Sequence, residues 1–128
     1  MKILVADDDA VVLASCRRVL QAEGFEVAVA ADAEAALAIV EGESFDLILV
    51  DVKMPGRGGI WLIQEIKERR PAMPVIAVSG YPTADTLADV FAQGVSGFVA
   101  KPFTPDELLE AVRGINQGAT ECGHAGFW

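Results

Sequence analysis

Five short apolar runs recur along the chain, and each has the composition of a strand that is buried on both faces. The runs are rich in valine, isoleucine, leucine and alanine and mostly lack the alternation of a half-exposed strand. Such runs are typical of a parallel sheet that is covered by helices on both sides. The predicted strands occupy residues 2–6, 26–30, 46–50, 75–78 and 97–100.

The segments between these runs carry helical periodicity together with helix-starting and helix-ending residues. Val12, Cys16, Val19 and Leu20 follow helical spacing, and Gly24 comes next as a stop signal. Asp32 is the expected N-cap of the second helix, and Ile60, Ile63 and Ile66 give the third helical spacing before Pro71. Thr83 is the expected cap of the fourth helix, which runs to about Gln93 before Gly94 ends it. A capping box over Thr104–Glu107 begins the fifth.

The order of these elements is strand then helix, five times over. Right-handed crossovers between parallel strands then give a single sheet with helices on both faces, which is a three-layer α/β sandwich. At 128 residues the chain has the length of one domain. We expect that domain to occupy residues 1–118, followed by a C-terminal tail over residues 119–128.

Composition narrows the function classes. Hydrophobic residues make up 52% of the chain, so we expect a packed globule, and no apolar run has the roughly 20 residues of a membrane helix. The net charge of −9 opposes binding to nucleic-acid phosphates. Cys16 and Cys122 are too few for a disulfide framework, and the first residues lack a secretory signal. We therefore expect a cytoplasmic protein that binds neither nucleic acid nor membrane directly.

Polar residues follow four of the five predicted strands. The first strand leads into Asp7, Asp8 and Asp9, the third into Asp51, the fourth into Ser79 and Gly80, and the fifth into Lys101 and Pro102. In open α/β sheets the ligand site lies beyond the carboxyl ends of the strands, where the strand order reverses. We therefore expect these side chains to meet at one edge of the sheet.

Such a cluster has a definite chemistry. Carboxylates at Asp7, Asp8 and Asp51 would repel one another, and Mg²⁺, which prefers oxygen ligands, would relieve the repulsion. Lys101 adds a cation suited to phosphate, and Ser79 adds a hydroxyl donor. A carboxylate nucleophile, a metal, a lysine and a hydroxyl are the components of phosphoryl transfer to aspartate, so we predict that Asp51 is phosphorylated.

Each residue of this set also has an ordinary structural explanation. Asp51 alone could cap a turn, and Asp9 is expected to cap the first helix. Ser79-Gly80 alone is a turn, and Lys101-Pro102 alone is a common exit from a strand. The functional interpretation depends on the joint position of these residues at four strand ends.

With these residues in place, the sequence resembles a response-regulator receiver domain of two-component signalling. The similarity covers about residues 2–117 and is carried by the stretches ILVADDD, DLILVDVKMPGRGG, VIAVSGY and GFVAKPFTPDEL, in that order. The resemblance implies a doubly wound, five-stranded parallel sheet of the flavodoxin-like (βα)5 type, with strand order 2-1-3-4-5. It also implies a regulatory phosphoprotein rather than a turnover enzyme.

The resemblance implies roles for the acidic residues. Asp51 is similar to the phospho-acceptor, which receives its phosphoryl group from a sensor histidine kinase or a phosphotransfer protein. Asp7 and Asp8 are similar to the acidic pair that binds Mg²⁺, with Asp51 as a third ligand. Lys53 would contribute its backbone carbonyl to the metal.

The resemblance also implies a switch. Ser79 would bind a phosphate oxygen and move towards it, Lys101 would pair with the phosphoryl group, and Phe98 would turn inward when Ser79 moves. Phosphorylation would then bias two conformers that differ on the face formed by helix four, strand five and helix five. A downstream protein effector would recognise that face. An ordinary core position is the alternative explanation for Phe98.

Three other functions remain as alternatives. A haloacid-dehalogenase-type phosphatase also forms an aspartyl phosphate, but it needs an acid where this chain has Lys53. A flavodoxin-like cofactor binder needs a phosphate-binding loop after the first strand, where three aspartates would repel phosphate. A docking module that is never phosphorylated is the third. Cys122 and His124 in the tail are too few for a metal site.

Overall fold

A computed structural model describes residues 1–54, 56–80 and 84–116, and within these ranges five strands alternate with five helices. The tail over residues 119–128 and the helix-starting role of Thr83 lie outside them. The strands are β1 (Lys2–Ala6), β2 (Glu26–Ala30), β3 (Leu47–Asp51), β4 (Val75–Ser79) and β5 (Gly97–Ala100). The helices are α1 (Ala10–Ala22), α2 (Ala33–Gly42), α3 (Gly58–Arg69), α4 (Ala84–Ala92) and α5 (Pro105–Asn116).

The five strands form one parallel sheet in the order β2-β1-β3-β4-β5, which confirms the predicted strand order. β1 lies between β2 and β3, so the chain crosses the sheet between its second and third strands. The strand order reverses at this crossing, where the carboxyl ends of β1 and β3 lie side by side. The topology therefore brings the acidic stretch after β1 next to Asp51.

Two apolar layers hold the helices on the sheet, and the strands contribute alternate side chains to each layer. One layer joins α1 and α5 to Ile3, Val5, Leu47 and Leu49, among others. The other joins α2, α3 and α4 to the alternate strand residues, whose side chains lie on the opposite face of the sheet. Because both faces of each strand are covered, the strands need no polar alternation, as their sequences indicate. The predicted three-layer sandwich is confirmed.

β3 and β4 each extend one residue beyond the predicted strand. Asp51 pairs with Val78, and Ser79 pairs with Ala100, so both polar residues lie inside the sheet ladder. The apolar character of each run stops one residue earlier, but a backbone ladder continues whatever side chain it carries. These two site residues therefore have the positional rigidity of the sheet.

Several helix ends follow the signals in the sequence. The Asp9 side chain accepts a hydrogen bond from the Val11 amide at 2.9 Å, and Asp32 caps α2 in the same way. Gly24 and Gly94 have φ values of 89° and 82°, the left-handed conformation that ends a helix at little cost in glycine. None of the helices in the described ranges has the length and apolar character that crossing a membrane requires.

The predicted capping box at the start of α5 is also present. The Thr104 hydroxyl accepts a hydrogen bond from the Glu107 amide at 3.1 Å, and Glu107 Oε1 accepts one from the Thr104 amide at 2.8 Å. The two residues satisfy each other's backbone donors at a helix end that is otherwise exposed. This fixes the point where the chain turns from β5 into α5.

Replacing Thr104 with alanine should lower the free energy of unfolding by about 1 kcal/mol, because one capping bond is lost and the amide of Glu107 loses its partner. Urea unfolding followed by circular dichroism measures this change. Glu110→Ala, an exposed change on the same helix, is the control and should have little effect. Equal effects of the two substitutions would contradict the capping argument.

Candidate functional site

Backbone hydrogen bonds of the sheet position the main site residues. Asp7 follows β1 and donates its amide to the last carbonyl of β2 at 3.1 Å. Lys101 follows β5 and donates its amide to the carbonyl of Ser79 at 2.8 Å. Asp51 and Ser79 are the last residues of their own strands. The polar residues at one edge of the sheet are therefore held by the ladder or by its direct extension.

The side chain of Lys101 lies between two buried carboxylates. Its Nζ is 2.8 Å from Asp7 Oδ2 and 3.2 Å from Asp51 Oδ2. Asp7 is 2% exposed and Asp51 is 4% exposed, so water screens these contacts poorly. The structure thus brings together three of the predicted site residues in one hydrogen-bonded ion cluster.

The other oxygen of each buried aspartate accepts a backbone hydrogen bond. Asp7 Oδ1 accepts from the Asp9 amide at 2.9 Å, and Asp51 Oδ1 accepts from the Lys53 amide at 3.1 Å. The ordinary explanation of Asp51 as a turn cap is therefore correct for one oxygen. It does not explain the second oxygen of Asp51, which faces Lys101.

Asp8 completes the acidic group from the solvent side. Its carboxylate is exposed, and one oxygen from each of Asp7, Asp8 and Asp51 lies within 4.8 Å of the others. Three carboxylates and one ammonium carry a formal charge of two negative units, which one divalent cation would balance. Carboxylate oxygens at this spacing, with solvent access for water ligands, are a donor set that suits Mg²⁺.

Burial and charge act in opposite directions on the two charged residues that meet at 2.8 Å. Burial raises the pKa of Asp7, and the charge of Asp51 raises it further. The hydrogen bonds from Lys101 and from the Asp9 amide lower it. Burial outweighs them, so the pKa of Asp7 is raised. Burial disfavours the charge of Lys101, but its hydrogen bond to Asp7 and the charges of Asp7 and Asp51 outweigh burial and raise its pKa. Lys101 is therefore charged at neutral pH.

Ser79 and Phe98 lie on the other face of the sheet. Ser79 is fully buried, and Phe98, which is 7% exposed, pairs with Ala77 and belongs to the layer that α2, α3 and α4 cover. Asp51 instead continues the side of β3 that faces α1 and α5, as Leu49 does. By strand alternation Ser79 shares the side of Phe98, but as the last residue of β4 it lies at the same sheet edge as the ion cluster.

Cys16 lies close to the site, a position that the sequence does not predict. A small cavity beneath Asp7 and Asp51 is lined by Cys16 together with Val12 and Leu108. Burial raises the pKa of the Cys16 thiol to about 11, and the Asp7 charge adds to the shift. The helical spacing of Cys16 indicated a buried position but not the strand ends that it would meet.

Comparison with known proteins identifies the family. The family model of the response regulator receiver domain matches residues 3–113. This chain belongs to that family. Receiver domains are regulatory rather than turnover enzymes, and the family binds Mg²⁺ at an acidic pocket. Family membership therefore favours the receiver interpretation over a dehalogenase-type phosphatase or a flavodoxin-like cofactor binder.

Curated relatives are much longer than the region that matches this chain. The response regulator protein FleR of Pseudomonas aeruginosa is 33% identical over 111 residues, which are 87% of this chain and 24% of FleR. The hydrogenase transcriptional regulatory protein HoxA of Cupriavidus necator is 35% identical over 112 residues, 87% of this chain and 23% of HoxA. The chain thus spans about a quarter of the length of these relatives.

Solved structures have the same fold. A CheY-like receiver domain protein from Methanospirillum hungatei superimposes with a TM-score of 0.88 at 35% identity, covering 94% of this chain and 97% of the other. NtrX from Brucella abortus, in a structure with ADP, superimposes with a TM-score of 0.84 at 31% identity, covering 99% of this chain and 30% of NtrX. The receiver fold therefore accounts for nearly the whole chain.

Replacing Asp8 with asparagine should raise the thermal stability of the metal-free protein by a few degrees Celsius. The change removes one of three like charges within 4.8 Å and leaves the contacts of Lys101 in place. Differential scanning calorimetry in EDTA measures the shift. Glu110→Gln, which removes an exposed charge outside the cluster, is the control. A Tm for Asp8→Asn at or below that of the unmodified protein would contradict the prediction.

Proposed function

We propose that this receiver domain accepts a phosphoryl group on Asp51 from a sensor histidine kinase or a phosphotransfer protein, in a reaction that depends on Mg²⁺. The observation that carries the proposal is the contact of Lys101 Nζ with both Asp7 and Asp51, with the Asp8 carboxylate alongside. On this proposal Asp51 is the nucleophile, Lys101 is the cation that meets the phosphoryl group, and the three neighbouring carboxylates are the metal ligands.

The transfer needs one bond to form and one to break. A carboxylate oxygen of Asp51 attacks phosphorus to form an acyl phosphate, while the bond between phosphorus and the donor histidine nitrogen breaks and its electron pair remains on the imidazole. The Lys101 ammonium lies 3.2 Å from the Asp51 carboxylate, where it can pair with the oxygens of the incoming phosphoryl group. The ladder fixes the backbone of Asp51, so the nucleophile enters the reaction already oriented.

The acidic residues would hold the metal. Asp7, Asp8 and Asp51 offer carboxylate oxygens, and Lys53, two residues after Asp51, would contribute its backbone carbonyl. When bound, Mg²⁺ would neutralise charge on the phosphoryl oxygens during transfer. The formal charge of the cluster supports a divalent rather than a monovalent ion.

Phosphorylation would act through a change in conformer populations. Ser79 would bind the new phosphate oxygens, and Phe98 would follow it on the same face of the sheet. Phe98 is in the inward position in this structure, so the proposal requires an outward rotamer in the other conformer. The surface formed by α4, β5 and α5 would report the difference to a downstream protein effector.

The relatives and the charge together indicate the kind of output. One curated relative, from Salmonella typhimurium, is the DNA-binding transcriptional regulator NtrC, 30% identical over 110 residues. The domain over residues 1–118 belongs to a chain with a net charge of −9, which disfavours contact with a duplex. We therefore propose that this domain signals through protein contacts rather than by binding DNA itself.

Incubation with acetyl phosphate and Mg²⁺ should add one phosphoryl group to the protein, because the small donor needs only the acceptor site. Intact-mass spectrometry measures the gain, and Asp51→Asn should abolish it. Asp46→Asn, at the opposite end of β3, is the control and should leave it unchanged. An equal gain in the Asp51→Asn protein would place the acceptor elsewhere.

Replacing Asp8 with alanine should weaken Mg²⁺ binding by at least about tenfold, because the loss of a direct ligand should cost no less than the loss of an outer-shell partner. Isothermal titration calorimetry at fixed ionic strength measures the affinity, with Asp46→Ala as the control for the loss of one negative charge. Unchanged affinity in Asp8→Ala would remove Asp8 from the metal site.

A further inference from the structure

The first turn of α3 lies directly against the backbone at the end of β3, and Gly59 is the point of contact. A Cβ atom at position 59 would lie 2.2 Å from the carbonyl oxygen of Asp51 and 2.6 Å from the Cα of Val52. Both neighbours are backbone atoms, which cannot rotate away as the end of a flexible side chain can. Any residue larger than glycine at this position therefore requires α3 and β3 to separate.

Hydrogen bonds on both sides of this contact connect it to the site. The Gly59 amide donates to the carbonyl of Val52 at 3.1 Å, and the Val52 amide donates to the carbonyl of Val78 in β4 at 2.9 Å. These bonds close the loop between β3 and α3. Lys53 lies inside the loop, and its amide donates to the Asp51 carboxylate at 3.1 Å. The packing of Gly59 thus sets the base of the loop that follows Asp51 and contains Lys53, whose carbonyl is a metal ligand on the proposed function.

Gly42, Gly56 and Gly58 do not share this constraint. A Cβ at Gly42, in the last turn of α2, would have no atom within 4 Å, and one at Gly56 would meet only the flexible side chain of Glu34, at 3.8 Å. Gly58 also has open space, although its φ of 82° favours glycine for a different reason. Glycine is needed at position 59 because the backbone of Asp51 leaves no room for a Cβ atom.

We propose that Gly59 is a positioning residue for phosphoryl acceptance. The absence of a side chain lets α3 pack on β3 at the depth that holds the Asp51 carboxylate and the Lys53 carbonyl together. A Cβ would have to displace these groups by roughly 1 Å, and a misplacement of that size can lower a rate on the order of 100-fold. The inference rests on the proposed function, since it concerns the same reaction at Asp51.

The test compares Gly59→Ala with two control variants. Gly42→Ala adds the same methyl group in open space, and Val40→Ala removes buried volume from α2, away from the site. Phosphorylation rates across acetyl phosphate concentrations at saturating Mg²⁺ give the maximal rate, and calorimetry gives the Mg²⁺ affinity. Thermal unfolding shows how far each variant is destabilised.

We expect Gly59→Ala to lower the maximal rate on the order of 100-fold and to weaken Mg²⁺ binding, while both controls keep the rate and affinity of the unmodified protein. A role in stability alone would lower the Tm of Gly59→Ala and Val40→Ala alike and leave the rate and affinity of the folded proteins unchanged. That result would overturn the inference and leave the proposed function intact. A lack of phosphorylation in the unmodified protein would instead remove the proposed function and this inference with it.

Hydrogen exchange provides a second measurement if Gly59→Ala does not fold. In the unmodified protein, the Gly59 amide should exchange as slowly as the amides of the β3–β4 ladder, because its bond to Val52 closes against the sheet. Exchange at the rate of an exposed loop amide would show that the contact opens freely, and it would overturn the positioning role.

Discussion

The contact of one ammonium group with two buried carboxylates is the interaction on which the site depends. Asp7 and Asp51 are almost completely buried, and an isolated buried carboxylate is costly. Lys101 Nζ lies within 3.2 Å of both, and backbone amides satisfy their other oxygens. Among the described residues, every buried side-chain nitrogen or oxygen has a hydrogen-bond partner. The cluster is thus fully hydrogen-bonded but not neutral, since Asp8 brings a third negative charge.

The remaining negative charge is what a bound cation would neutralise on the proposed function. A protein selected only for stability would do better with fewer carboxylates at this edge, because like charges at this distance repel. The sheet holds the charges in place despite this cost, since Asp51 lies within the ladder and Asp7 directly extends it. The strands thereby hold in place a repulsion that a bound divalent cation would relieve.

The sequence predicts most of this site because of a topological rule. Carboxyl ends of parallel strands meet at one edge, so the polar residues that follow β1, β3, β4 and β5 had to lie near one another whatever the details. The capping residues Asp9, Asp32 and Thr104 follow from local signals, whereas the strand order is implied by the resemblance to the receiver family. Burial on both faces made the strands visible as continuous apolar runs.

Features that depend on distances between elements could not be predicted in this way. No sequence pattern states which oxygen of Asp51 faces Lys101, or that Cys16 lines a cavity beneath the acidic pair. The rotamer of Phe98 depends on how the apolar layer on its face of the sheet packs. The two consecutive glycines that begin α3 look alike in sequence, yet of the two only Gly59 lies against the Asp51 carbonyl. Packing depth between a helix and a strand is a property of the assembled layers.

The position of Lys101 explains how a local charge change could reach the surface of the domain. Its ammonium has two carboxylate partners, and on the proposed function a phosphoryl group on Asp51 would compete for the same ammonium. Any shift of the side chain acts on a residue whose amide is bonded to the carbonyl of Ser79 and which lies three residues after Phe98. The groups that would sense phosphate and the groups that would change the surface therefore share the short backbone segment at the ends of β4 and β5. Their coupling needs no long pathway, only two arrangements of that segment with different affinities for the phosphoryl group.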